Sequence, residues 1–170
     1  LCTDYRARQR DYRICGFPPP SSGAIAIGQI LGMLNQTNAA ELPLQSYSAG
    51  AAPGPVPSAQ RLHLYTEASR LAFADRAQYL GDPAFVQPPG GSWQSLLAPS
   101  YLAERSKLIS QTPNGVSMKT AKPGNPGAVK TSYAPMPDEP EYGTSHISIV
   151  DAAGNAIAML KKRLALEARA

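Results

Sequence analysis

The sequence predicts an α+β fold. Apolar residues recur at helical spacing over 24–35 and 58–80. Alternating runs flank short turns near both chain ends, over 1–17 and 144–160. The length of 170 residues falls within the range of a single domain with a sizeable core.

The first element is a hairpin around Ala7-Arg8-Gln9-Arg10. That stretch has no Gly or Asn for a primed two-residue turn, so a four-residue loop is expected. Centring the turn there sets Asp4 opposite Arg13, Arg6 opposite Asp11 and Cys2 opposite Cys15 on one face. Tyr5 opposite Tyr12 and Thr3 opposite Ile14 share the other, and opposed charges and aromatics favour that register. Cys2 and Cys15 could form a disulfide in an oxidising compartment or remain two buried thiols.

Pro18-Pro19-Pro20 ends the second strand. Ser21 or Ser22 then caps a buried helix of about three turns, with Ile25, Ile27, Ile30, Leu31 and Leu34 inward and Gln29 and Asn35 as its polar surface. Gly28 and Gly32 are spaced to admit a second backbone. Residues 38–57, with four prolines, read as a linker. Ser58 caps a long helix to Leu80, stopped by Gly81 and Pro83, with a stripe of Leu62, Tyr65, Ser69, Ala72 and Tyr79 widened by Ala68 and Phe73. A short piece near Trp93–Leu97 and a helix over Ser100–Ser110 follow. Six prolines and four glycines then fill 112–143, which reads as extended and mobile. The hairpin 144–160, turning at Ala152-Ala153-Gly154-Asn155, closes the readable pattern.

Composition excludes several classes. The 17 prolines and 14 glycines fall short of the ~25–30% share of low-complexity chains. No apolar run approaches the roughly 18–20 residues of a membrane helix. The net charge of +4 is concentrated at the end: Lys161, Lys162, Arg163 and Arg169 stand against Glu167, leaving +1 for residues 1–160. That is a terminal appendage and not a nucleic-acid-binding face. Two cysteines and two distant histidines do not make a metal site. The chain opens Leu1-Cys2-Thr3-Asp4 without methionine and reads as a section of a longer protein, so its lack of a signal says nothing about compartment.

The chemical signal is Gly143-Thr144, where the Pro/Gly-rich segment meets a strand. A threonine hydroxyl needs an adjacent base to become a nucleophile. Cutting the chain before Thr144 would supply one, its own α-amino group. The bland reading of Gly-Thr is a strand entry. His146 lies two positions on, on the same strand face, and reads as a packed or hydrogen-bonding residue. His63 reads as structural, and Glu67, Asp75 and Arg76 as a buried ionic network. Ser21-Ser22-Gly23 looks like an anion loop but reads as a helix start.

Three blocks resemble the gamma-glutamyltranspeptidase family. They are Cys15-Gly16-Phe17-Pro18-Pro19-Pro20-Ser21-Ser22-Gly23, then Glu67-Ala68-Ser69-Arg70-Leu71-Ala72-Phe73-Ala74-Asp75-Arg76 with Tyr79-Leu80-Gly81-Asp82-Pro83. The third is Tyr142-Gly143-Thr144-Ser145-His146-Ile147-Ser148-Ile149-Val150-Asp151 with Gly154-Asn155-Ala156. The resemblance implies part of an αββα N-terminal-nucleophile hydrolase sandwich, incomplete here, with autocleavage between Gly143 and Thr144. Thr144 would attack the γ-glutamyl amide of glutathione or a related compound. The acyl group would pass to water or to an amino-acid or peptide acceptor, without metal or cofactor. On this reading 1–143 is the end of a large subunit and 144–160 the first hairpin of a small one, the two forming a heterodimer in a complete protein. Relatives are periplasmic or outside the cell.

After Met159 the family continues with a run of threonines, whereas Leu160-Lys161-Lys162-Arg163-Leu164 stands here. Residues 161–170 are an aberrant basic tail, and the family's substrate-gripping arginine and oxyanion groups fall outside the chain. The chain alone is expected to be inactive. The other readings are a β-lactam acylase of the same fold, acting on glutaryl-type side chains, and a non-catalytic truncated or frameshifted product exposing apolar sheet faces.

Overall fold

The computed structural model describes residues 1–7, 10–47, 54–112, 115–128 and 144–162. They belong to two compact units, Leu1–Met136 and Pro137–Ala170. The described elements are helices and antiparallel strand pairs, an α+β composition.

The first unit opens with β1 (Cys2–Ala7) paired antiparallel to β2 (Arg10–Cys15). The register is the expected one, Cys2 with Cys15 through Arg6 with Asp11, and it runs one pair further to Ala7 with Arg10. Only residues 8 and 9 therefore separate the strands, a shorter connection than the four-residue loop expected. Arg6 and Asp11 form an exposed ion pair at 2.9 Å beside that last pair. Cys2 and Cys15 are disulfide-bonded, which decides between the two cysteine readings. The outer edge of β1 is closed by Asn35, whose Nδ2 donates to the Asp4 carbonyl at 2.8 Å and whose Oδ1 accepts from the Arg6 amide at 3.1 Å.

Helix α1 (Gly23–Leu34) is central and packs on β1, α2 (Ala59–Tyr79), α3 (Pro99–Ser106) and the 3-10 turn Trp93–Leu97. It differs from the expectation in three ways. Ser22 stands at the N-cap but its hydroxyl does not cap; it accepts from Arg76 Nε at 3.0 Å. Gln29 is fully buried while Ile27 is half exposed, because a partner on α2 outweighs the hydropathy of the two residues. Gly28 and Gly32 admit side chains, not a backbone: Thr3 and Leu97 fill the space at Gly28 and Leu102 that at Gly32.

Residues 38–57 are more than a linker. They carry a 3-10 turn, Asn38–Ala40, and an antiparallel pair, β3 (Leu44–Tyr47) with β4 (Gly54–Pro57). Prolines are tolerated there because each strand of a lone pair has an edge that needs no donor.

In α2, Ser58 caps as expected, its Oγ accepting from the Arg61 amide at 3.2 Å. The buried face, however, is Leu64, Glu67, Ala68, Leu71, Ala72, Asp75 and Tyr79. Leu62, Tyr65 and Phe73, expected inside, are about half exposed. Two buried carboxylates interrupt the apolar period and rotate the apparent stripe. Helix α3 ends at Ser106, four residues earlier than expected, and starts on Pro99. Residues 115–128 hold no regular element, but their backbone is bound to α2 and α3, with Met118 and Ala121 packed on the core.

The second unit contains β5 (Thr144–Val150) and β6 (Ala156–Lys162) as the expected antiparallel hairpin, with Val150 opposite Ala156, so that Asp151 joins the turn, and with β6 two residues longer than read. Gly154 in its turn has φ +83°, where a side chain would be strained. Ile147 opposes Met159 and Ile149 opposes Ile157 on one face, and all four are about half exposed. Residues 129–143 and 163–170, including Gly143 and most of the basic tail, lie outside the described residues.

Alanine in a helix interior is ordinarily favoured over glycine by about 1 kcal/mol. At Gly28 an added Cβ would meet Thr3 Oγ1 and, at 2.8 Å, Leu97 Cδ2. Gly28→Ala is therefore expected to destabilise the chain by about 1–2 kcal/mol, read from the urea midpoint. A raised midpoint would show that the two side chains yield freely.

Candidate functional site

The densest polar constellation is built on α2. Asp75 is 1% exposed, and each of its carboxylate oxygens accepts two hydrogen bonds. Oδ2 takes Gln29 Nε2 at 2.9 Å and the Tyr101 hydroxyl at 2.5 Å. Oδ1 takes an Arg105 guanidinium nitrogen at 3.0 Å and the Gly124 amide at 2.8 Å. Four acceptor sites meet four donors, so the carboxylate is saturated. Burial, and after it the adjacent Asp75 charge, pushes the Tyr101 phenol well above its usual range and keeps it a donor. The Arg105 guanidinium also donates to the carbonyls of Leu71 at 3.1 Å and Lys122 at 2.9 Å. Tyr79 donates its hydroxyl to the Gly124 carbonyl at 2.5 Å.

Glu67 repeats the pattern two turns earlier. Its Oε2 accepts the Met118 amide at 2.8 Å and Oε1 accepts from Arg70 at 3.1 Å, while Arg70 also reaches the Lys119 carbonyl at 3.2 Å. The expectation of a buried ionic network thus holds for Glu67 and Asp75. It does not hold for Arg76, which binds Ser22 and lies over the Phe73 ring, 5.5 Å from its centroid. With no lone pair free, Asp75 is a structural acceptor rather than a base.

The missed members are Gln29, Tyr101, Arg105 and Gly124. The available signal was the pair of acids at 67 and 75 on an otherwise apolar helix face. His63 is structural as read, with Nε2 3.0 Å from the Ser110 carbonyl. Ser21-Ser22-Gly23 is a helix start as read.

Thr144 opens β5, paired with Lys162. It belongs to the second unit, whereas the Asp75 constellation lies in the first. His146 is exposed, with Nε2 2.7 Å from Ser148 Oγ, a hydrogen-bonding strand residue. The turn is held by Asp151, whose Oδ1 accepts the amides of Ala153 at 2.9 Å and Asn155 at 2.8 Å and whose Oδ2 accepts Asn155 Nδ2 at 2.8 Å. Those bonds, the Asn155 side chain's first, hold its carboxyl below the usual range.

Comparison with known proteins bears on both units. The profile of the family described as Gamma-glutamyltranspeptidase matches residues 1–162. The glutathione hydrolase proenzyme of Escherichia coli (strain K12) is 35% identical over 153 residues, covering 88% of this chain and 21% of that protein. The glutathione hydrolase proenzyme of Bacillus subtilis (strain 168) is 32% identical over 152 residues, 86% of this chain and 23% of that protein. The Acylase ACY 1 proenzyme of Pseudomonas sp. (strain V22) is 34% identical over 152 residues, 89% of this chain and 22% of that protein. The crystal structure of Helicobacter pylori gamma-glutamyltranspeptidase superposes with a TM-score of 0.51 at 27% identity, covering 77% of this chain and 32% of that one. The chain spans between a fifth and a quarter of the length of these curated relatives.

Two outcomes follow from the geometry. Asp75→Ala leaves Arg105 buried without its anion and is expected to cost about 3–5 kcal/mol, measured by urea denaturation; a loss below ~1 kcal/mol would show that the pair contributes little. The lowered pKa of Asp151 means that its turn-stabilising contribution is present above the unfolded-state value and lost as pH falls through the folded one. The Ala153 and Asn155 amide resonances should therefore move together in an acid titration carried below the ordinary 3.8. In Asp151→Ala that movement should vanish.

Proposed function

Because this chain belongs to the gamma-glutamyltranspeptidase family, we propose that it is a section of a glutathione hydrolase or γ-glutamyl transferase whose nucleophile is Thr144. On this reading 1–143 ends a large subunit, 144–160 begins a small one within an αββα sandwich, and 161–170 is a divergent tail. The observation that carries it is that strand β5 starts at Thr144 itself, inside a family match that runs across the Gly143–Thr144 junction. The relatives' description as proenzymes supports a precursor that must be cut.

Scission before Thr144 frees its α-amino group, which takes the proton from the hydroxyl as the oxygen attacks the γ-glutamyl carbonyl. The amine leaves with that proton, and the resulting ester is opened by water or by an acceptor amine. The substrate would be glutathione or another γ-glutamyl amide, the acceptor an amino acid or peptide. Binding and oxyanion groups would come from the remaining length that the relatives possess, so the 170 residues alone would not turn over. The Cys2–Cys15 disulfide supports a periplasmic or extracellular setting. A second reading, an acylase, is favoured by the 34% identity to Acylase ACY 1 proenzyme, level with the hydrolases.

Time-resolved mass spectrometry of the purified chain tests the nucleophile. Self-cleavage should yield pieces ending at Gly143 and beginning at Thr144, and Thr144→Ala should abolish it. Equal splitting by that variant would overturn the assignment. Hydrolysis of a γ-glutamyl anilide by the isolated chain would overturn its inactivity, and a complete homologue preferring a glutaryl amide would favour the acylase.

A further inference from the structure

The stretch that sequence alone leaves shapeless has a period. Positions 115, 118, 121 and 124 are half-buried, while 116, 117, 119, 120, 122 and 123 are exposed. A spacing of three differs from the 3.6 of a helix and the 2 of a strand, and the chain bends at residue 119. Pro123 and Pro126 keep this stretch out of a helix. Without a helix or a ladder of its own, its buried amides and carbonyls need partners elsewhere in the chain.

Those groups are what α2 and α3 bind. Glu67 accepts the amide of Met118 and Asp75 that of Gly124, while Arg70, Arg105 and Tyr79 donate to the carbonyls of 119, 122 and 124. Side chains are excluded at both ends of the segment: a Cβ on Gly115 would meet His63 Nε2 at 2.6 Å, and one on Gly124 would strike the Tyr101 hydroxyl and, at 2.8 Å, Arg105 Cδ. Beyond it, the Ala128 carbonyl accepts from the Gly90 amide at 2.9 Å.

We propose that α2 and α3 form a groove that reads the backbone of an irregular segment, that its occupant is this chain's own 115–124, and that the segment stays docked when the chain is cut beyond residue 136. The groove requires amides at 118 and 124 and glycines at 115 and 124, and tolerates any side chain at 119, 120 and 122. The proposal does not depend on Thr144 or on self-cleavage.

Hydrogen exchange by mass spectrometry on the full chain tests it. The triple variant Lys119→Ala/Thr120→Ala/Lys122→Ala should exchange over 116–124 within twofold of the parent. Gly124→Ala should exchange there at least tenfold faster, with 64–75 of α2 unchanged. Met118→Pro deletes one amide and should do the same, whereas Met118→Ala, which loses the same core-packed side chain but keeps the amide, should stay within twofold of the parent; this comparison decides the matter if Gly124→Ala unfolds α2. A protease site inserted after Met136 and then cut should leave 116–124 protected. Acceleration in the triple variant equal to that in Gly124→Ala, or none in Gly124→Ala and Met118→Pro, would overturn the backbone reading. Protection lost on cutting would overturn the persistence.

Discussion

The first unit depends on one buried anion. Asp75 draws a donor from each surrounding element: Gln29 from α1, Tyr101 and Arg105 from α3, and the backbone of Gly124. A carboxylate removed from water costs several kcal/mol unless every lone pair is met. Meeting them demands that α1, α3 and the 115–128 segment stand at fixed distances from α2. Apolar contacts among Ile25, Leu64, Leu71 and Leu102 supply most of the favourable free energy. They tolerate sliding, whereas four directed bonds to two oxygens do not.

That division explains which parts of the fold were legible. The β1–β2 register follows from local arithmetic, since charges and rings face each other across a turn of a few residues. The start of α2 at Ser58 and its stop before Gly81 follow from capping chemistry within one turn. The faces of α1 and α2 differ from the hydropathy stripes because a stripe drawn through apolar residues alone leaves out the buried Gln29, Glu67 and Asp75. Their partners lie as far as 51 residues away in sequence, beyond any window of periodicity. Prolines hid the β3–β4 pair and the order in 115–128 for a related cause. They forbid helices and central strands, but not edges or extended backbone that borrows its partners.

Legibility of the candidate site divides the same way. Gly143-Thr144 was found because the sequence changes character there, from proline-rich to alternating, and Thr144 does begin β5. The Asp75 constellation was half found. Its acids were recognised as buried and ionic, while Arg105 and Tyr101 lay unremarked in a short helix of ordinary composition. Backbone amides, which complete both carboxylates, carry no mark in a sequence at all.

The β5–β6 hairpin carries a final consequence, for colloidal behaviour. One face presents Ile147, Ile149, Ile157 and Met159, four neighbouring apolar side chains about half open to water. The run Ile147-Ser148-Ile149-Val150 has the β-branched, uncharged character of segments that stack into cross-β assemblies. Charged residues bracket it in the chain: Asp151 follows β5 at once, and Lys161-Lys162 end β6. Such flanking charges act as gatekeepers, raising the repulsion between like hairpins brought edge to edge. Lys161 and Lys162 thus stand at the end of the ribbon whose apolar face is open, and their effect is one that salt screens.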